Sequence, residues 1–183
     1  MLKKLLLSGV VAALTVFALA APSFGGSRAA TSSGGVLLVD GDGGTPMFQL
    51  PEMAVGSPAV RCITVTNAGT RTVDARLFAH VDGRLRNALQ VEVARGVAAP
   101  TNPFPGCAGF VPDPSIQQGL GTGVVYRGTV ADLSGRFAKA TPDPGAWAPG
   151  VTRTYRFTVT LASLPDRNRL GTTVGFVWKA RGS

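Results

Sequence analysis

His80 is the only histidine among the 183 residues, so acid–base or metal chemistry by an imidazole would have to use it. It lies on the polar side of the alternating stretch Val73–Val81, with Asp82 two residues further along the same side. A zinc peptidase helix needs two histidines, and the chain has no G-x-S-x-G turn of a serine hydrolase. We therefore expect an exposed or ion-paired His80 in a protein that is not an enzyme.

The segment Asp40-Gly-Asp42-Gly-Gly44 is the strongest candidate for a metal loop. An EF-hand would need a third oxygen ligand at position 44 and a glutamate at position 51, where the chain has Gly44 and Pro51. The segment is therefore interpreted as a turn. We predict no metal site and no cofactor.

Three aromatic residues could serve as a binding surface for sugars or for another protein. Phe104, Phe110 and Trp147 lie in the two longest segments that lack strand patterning, 96–120 and 134–150. Long loops of this kind often carry function. The alternative, which we favour, is that these rings close the ends of the fold.

Residues 1–25 have the pattern of a signal-peptide helix. Lys3 and Lys4 precede an apolar stretch from Leu5 to Ala21, and Ala18-Leu-Ala20 provides the small residues of a cleavage site. The stretch is shorter than the ~20 residues of a membrane-spanning helix, although a retained anchor is the alternative. We predict a secreted protein, extracellular or on the cell surface, with no membrane association after cleavage.

Cys62 and Cys107 are the only two cysteines. In an oxidising compartment an isolated pair predicts a disulfide, and the alternative is two separate buried thiols. A bridge would close a loop of about 45 residues and would stabilise the fold by roughly 4 kcal/mol on the chain-entropy model.

Apolar and polar residues alternate with a period of two through most of the chain after a Gly/Ser-rich linker at 26–35. No segment outside the leader has convincing helical spacing. We predict a single all-β domain over 36–183, an antiparallel β-sandwich of jelly-roll-like or Ig-like type. The predicted strands are 59–66, 73–81, 89–94, 124–130, 154–161 and 172–179, with shorter apolar runs at 36–39 and 47–50.

The formal net charge of +8 includes the two leader lysines, and the remaining basic residues are mostly single arginines. Nucleic-acid binding usually needs a clustered basic face with stacking aromatics, and no such run is present in the sequence. We expect no nucleic-acid partner. A solvated basic surface is favoured over weak attraction to anionic envelope polymers.

Several motifs are distributed through the chain: the leader, Phe48-Gln-Leu with Pro51 and Gly56, Cys62-Ile-Thr-Val-Thr-Asn67-Ala-Gly69, Trp147-Ala-Pro-Gly150 before Tyr155–Leu161, and Gly175-Phe-Val-Trp178-Lys-Ala180. Together they resemble the camelysin/TasA-type family of exported bacterial proteins. The chain lacks two frequent family features, a Tyr/Phe-Ser-Asp element after the leader and a Gln-Gly before the last strand, where Leu170-Gly171 stands.

The resemblance implies a β-sandwich of the cell surface or of biofilm-matrix fibres, which associates with itself or with other envelope and matrix proteins. In fibres of this family a subunit is thought to lend an N-terminal strand to its neighbour. Here the candidate donor is Val36, Leu37, Leu38 and Val39, and the alternative is an ordinary first strand of the same molecule. The camelysin name implies a zinc endopeptidase, which a single histidine does not support. A secreted carbohydrate- or protein-binding module is the alternative function.

Overall fold

The computed structural model describes residues 38–40, 47–48, 54–133, 136–163 and 172–182. The predicted signal peptide, the linker, and Val36 and Leu37 of the candidate donor strand lie outside these residues. Their assignments therefore stay predictions, as does the single-domain boundary.

The described residues form eight β-strands and three short 3₁₀ turns, with no α-helix among them. No helix in this part of the chain is long and apolar enough to cross a membrane. The turns are Arg84–Asn87, Val130–Asp132 and Phe137–Lys139. The strands are β1 Leu38–Asp40, β2 Pro58–Asn67, β3 Val73–Gly83, β4 Leu89–Gly96, β5 Val124–Thr129, β6 Thr141–Pro142, β7 Thr152–Leu161 and β8 Thr172–Gly182.

The strands form two antiparallel sheets that pack on each other in the manner of a β-sandwich. The five-stranded sheet has the order β1-β2-β7-β4-β5, and the three-stranded sheet has the order β6-β3-β8. Between the sheets, the Phe157 and Phe176 rings lie 4.5 Å apart and the Tyr155 and Trp178 rings 4.8 Å apart. These contacts join β7 to β8, so one hydrophobic core includes both sheets.

The alternation of apolar and polar residues along the strands explains which faces of the two sheets pack on each other. In β4, Leu89, Val91 and Val93 are buried while Gln90 is exposed, as expected where one face of a strand packs on the core and the other meets water. The predictions of an all-β fold and of the six longer strands are confirmed to within a few residues. In the apolar run 47–50, Met47 and Phe48 pack against the core without forming a strand, and Gln49 and Leu50 lie outside the described residues.

β1 lies at an edge of the five-stranded sheet. Its three residues pair with the end of β2, from Leu38 opposite Asn67 to Asp40 opposite Val65. It also contacts β8 of the other sheet. Within one chain this segment is thus a short edge strand, and whether it is also donated to a neighbour remains a prediction.

Candidate functional site

The predicted disulfide is confirmed, and it fastens the long 96–120 loop to the five-stranded sheet. Cys62 in β2 is bonded to Cys107, 45 residues later, with their Cα atoms 5.1 Å apart. Next to the bridge, the Cys62 amide donates to the Pro105 carbonyl at 3.0 Å. The loop is thereby held at its middle as well as at its ends.

Two of the three aromatic candidates lie in this loop and are half-buried. Phe104 packs against the hydrophobic core. Phe110 has the Arg156 guanidinium 4.8 Å from its ring centre and lies so close to Gly96 that a Cβ there would come within 2.7 Å of the ring. Both rings therefore help to pack the loop, and each keeps part of its surface exposed.

Trp147, the third aromatic candidate, is fully buried at 0 % exposure and belongs to the core. Its indole N–H donates to the Val151 carbonyl at 2.7 Å, and its own carbonyl accepts from the buried Asn67 side chain at 2.8 Å. An interior indole has no face left for a sugar. Trp147 is therefore a core residue, and its role in closing an end of the fold stays a prediction.

A cluster of buried charged groups lies beside Trp147, where the two long loops meet the sheet. We call it the end cluster: Arg95 of β4, Asp113 of the 96–120 loop, Asp143 of the 134–150 loop, and Arg153 and Tyr155 of β7. Two guanidinium groups face two carboxylates. The cluster is therefore balanced in charge.

Asp143 is the centre of the end cluster, with only 2 % of its side chain exposed. Its Oδ2 accepts from the Tyr155 hydroxyl at 2.7 Å and from Arg153 Nη1, and its Oδ1 lies 3.4 Å from Arg95 Nη1. Arg153 also donates to the carbonyl oxygens of Gly145 and Ala146, each at 2.9 Å. These bonds attach the 134–150 loop to β4 and β7.

Asp113 fastens the other loop to the same arginine. Its Oδ2 accepts from Arg95 Nε at 3.1 Å and Nη2 at 2.8 Å, and its Oδ1 accepts from the hydroxyl and the amide of Ser115. Burial by itself raises the pKa of Asp113. The hydrogen bonds from Ser115 and Arg95 together with the Arg95 charge outweigh it and leave this pKa below its usual value. Asp113 is therefore an ionised anchor.

Tyr155 donates a hydrogen bond and keeps its proton. Complete burial and the adjacent Asp143 carboxylate raise its pKa well above 10, although Arg153 and Arg95 act in the opposite direction. The phenol is thus protonated, and the ions around it are paired with side chains that are 2–15 % exposed. The geometry of the end cluster is that of a clamp on two loops.

The described part of the chain contains no group of three or more His, Cys, Asp or Glu residues that could hold a metal ion. The backbone of His80 runs within β3, and its side chain lies outside what the structure describes. The interpretation of His80 as exposed or ion-paired therefore stays a prediction.

Sequence reasoning missed the end cluster, although β4 and β7 carry a signal for it. Arg95 follows Leu89, Val91 and Val93 at the same period-two spacing, and Arg153 has the same relation to the buried residues of β7. An arginine on the apolar face of an amphipathic strand must bury its charge. It therefore predicts an acidic partner nearby.

The outer edge of β8 is the second feature with functional potential. β8 pairs with β3 through all eleven of its residues, and no described strand pairs with its other edge. The indole N–H of Trp178, in the same strand, is buried and has no hydrogen-bond partner among the described residues. An edge of this length presents backbone N–H and C=O groups that another strand could satisfy.

No protein-family model matches the chain, and no curated protein matches it either. The family resemblance therefore rests on the motifs themselves.

Proposed function

We propose that this chain is a secreted structural subunit of the cell surface or of the extracellular matrix, such as a fibre subunit of a biofilm, which assembles through the edge of β8. Copies of the same chain, or other envelope and matrix proteins, are the partners. The proposal assigns no catalytic activity, no cofactor and no metal to the protein.

The observation that carries the proposal is the length of the β8 edge. An added strand gains main-chain hydrogen bonds along its whole length, and eleven residues exceed the usual strand of five or six. Lys179 and Arg181 lie on this strand and oppose the approach of a basic segment. An incoming strand of apolar and acidic residues suits such an edge best.

The segment Val36–Val39 has that composition, because it is apolar and is followed by Asp40 and Asp42. Among the described residues of this segment, Leu38–Asp40 pairs with β2, and a contact of three residues costs little to exchange. The Gly/Ser-rich stretch before it provides reach. These features support donation of Val36–Val39 to a neighbouring subunit.

Export and the detailed topology are further parts of the proposal. The leader pattern supports secretion, and so does a disulfide, a bond typical of oxidising compartments. Repeated crossing of the chain between the two sheets supports a jelly-roll-like or Ig-like arrangement.

Electron microscopy and sedimentation of the protein recovered after export test the proposal. We expect polymers that grow with concentration, and a folded monomer when residues 26–39 are deleted. Deletion of residues 26–30 is the matched control, because it shortens the linker and keeps the strand. A full-length protein that remains monomeric at every concentration would contradict assembly. Unchanged polymers from the longer deletion would exclude Val36–Val39 as the donor.

A second candidate, a carbohydrate- or protein-binding module, is supported by the partial exposure of Phe104 and Phe110 on a loop held by the disulfide. A saturable glycan-array signal that is lost in Phe110→Ala and retained in Arg86→Ala would favour it. Trp147→Ala is unsuitable for this test, because removal of a fully buried indole disturbs the core.

A further inference from the structure

The outer face of the three-stranded sheet carries a group of cations stacked on aromatic rings. We call it the cationic face and define it as Arg76 and Phe78 of β3, Phe137 of the 3₁₀ turn Phe137–Lys139, and Lys179 and Arg181 of β8. These residues lie outside the core between the sheets. Neither the disulfide nor the end cluster includes any of them.

Each cation of this face is held against a ring. The Arg181 guanidinium carbon lies 4.1 Å from the centre of the Phe137 ring, and that of Arg76 lies 5.1 Å from the same ring. The Lys179 ammonium lies 4.8 Å from the centre of the Phe78 ring. Stacking limits the orientations of these side chains, so less freedom is lost when they bind an anion.

The β3–β8 register places like charges side by side. Arg76 is directly opposite Lys179, and in an antiparallel pair such neighbours share a face and repel each other. Asp74 is opposite Arg181, yet Arg181 turns to the Phe137 ring and forms no ion pair with the described acidic residues. The Asp74 carboxylate lies 3.9 Å from Arg76 Nε, too far for a hydrogen bond.

The face therefore has a surplus of positive charge. Arg76 is partly engaged, since its Nη1 donates to three carbonyl groups of the segment 137–140. The side chains of Lys179 and Arg181 are exposed and have no acidic partner in the described part of the chain. Lys139, which is exposed on the same 3₁₀ turn, adds a further cation nearby.

We infer that the cationic face binds an acidic polysaccharide, a chain of sugars that carries regularly spaced carboxylates. Cations two residues apart on one strand are about 7 Å apart, and those on paired strands are about 5 Å apart, which gives a two-dimensional array for repeated negative charges. A planar guanidinium can donate two parallel hydrogen bonds to a carboxylate. This inference does not depend on assembly through β8.

The same rings disfavour a nucleic acid. Binding of single strands usually needs aromatic faces on which bases stack. Here the Phe78 side chain is only 3 % exposed and lies under Lys179, and the Phe137 ring is flanked by Arg76 and Arg181. The face therefore offers charge without a free stacking surface.

The experiment measures binding of the exported protein to polygalacturonate, with its fully methyl-esterified form as the uncharged ligand of the same sugar. We expect binding to polygalacturonate only, weakening as salt rises because exposed charges are screened. The double variant Lys179→Met/Arg181→Met keeps apolar side chains over the rings and removes both charges. It should weaken binding about tenfold, since each exposed pair contributes up to about fivefold.

Arg86→Met/Arg127→Met is the matched control, because it removes the same net charge from the turn Arg84–Asn87 and from β5. Both doubles should remain folded, with thermal melts close to that of the parent protein, although the control breaks the exposed Arg127–Glu92 ion pair. The control should change affinity by less than about twofold, because neither of its residues belongs to the cationic face. Equal losses in the two doubles, tight binding of the methyl ester, or no binding of polygalacturonate at low salt would overturn the inference. The inference would also be overturned if single-stranded DNA bound as tightly as polygalacturonate and lost affinity in Lys179→Met/Arg181→Met.

Discussion

The end cluster and the cationic face both place arginines beside aromatic rings, but under opposite conditions. In the end cluster the charged side chains are 2–15 % exposed, and two guanidiniums face two carboxylates. On the cationic face the Arg76 side chain is 25 % exposed, and Asp74 is the one described carboxylate within 4 Å of a cation there. Burial enforces charge balance, because an unpaired buried ion costs several kcal/mol. At the surface, water solvates an unpaired ion, so charge balance is not required there.

The aromatic rings reflect the same difference. In the end cluster, the Tyr155 hydroxyl donates a hydrogen bond to Asp143, and the Arg153 guanidinium lies 4.7 Å from the Trp147 ring centre in the interior. On the cationic face, the Phe137 ring offers no hydrogen bond and only positions the guanidinium groups of Arg76 and Arg181 that lie against it. We therefore expect substitutions in the first region to change stability, and those in the second to change binding.

The largest effect is expected from Asp143→Ala. This change leaves the Arg95 and Arg153 guanidiniums buried without their shared carboxylate. The free energy of unfolding should fall by about 3–5 kcal/mol, which urea denaturation measures.

Glu92→Ala is the matched control for Asp143→Ala. It breaks ion pairs with Arg127 and Arg156, whose side chains are 55 % and 32 % exposed, and should cost less than about 1 kcal/mol. If the two variants lose similar stability, burial does not distinguish the two kinds of ion pair.

An intermediate effect, with a defined pH dependence, is expected from Asp113→Asn. At neutral pH the free energy of unfolding of the variant should be about 2 kcal/mol lower, because the substitution weakens hydrogen bonds between charged groups. Because the folded-state pKa of Asp113 is below its usual 3.8, the carboxylate stabilises the fold above that value. This stabilisation disappears as the pH falls through the lowered pKa.

The stability difference between the parent protein and Asp113→Asn should therefore shrink in acid, as urea denaturation at a series of pH values would show. Ser115→Ala removes one hydrogen bond to the same carboxylate. The stability difference between the parent protein and this variant should also shrink in acid, but by a smaller amount. A difference that is constant over the whole pH range would contradict the lowered pKa.

The smallest effect is expected from Lys179→Glu on the cationic face. The change replaces repulsion from Arg76 by attraction, a gain that exceeds the lost contact with the Phe78 ring. Thermal denaturation should show a stability increase of about 0.5 kcal/mol. Lys139→Glu, with the same charge change on an exposed turn, should be close to neutral. A loss in Lys179→Glu as large as that in Asp143→Ala would mean that this lysine is a structural group.

Local chemistry alone predicted the long strands, because a period of two is a property of neighbouring residues. Val73, Ala75, Leu77 and Ala79 all face the core of the folded chain, as their alternation indicates. The disulfide was predictable for a different reason, since two cysteines permit only one intramolecular pair. Compartment and partner are likewise expectations that rest on the leader and on the motifs.

Tertiary structure decided the charged sites, because their members come from distant parts of the chain. Arg95 meets Asp113 across 18 residues and Asp143 across 48, and no local pattern specifies which loop carboxylates reach it. Likewise, the β3–β8 register alone places Lys179 opposite Arg76, and packing of the segment 137–140 places Phe137 between Arg76 and Arg181. The sequence contains the arginines, but the pairing of strands and the closure of the loops determine which of them are neutralised and which remain available to a partner.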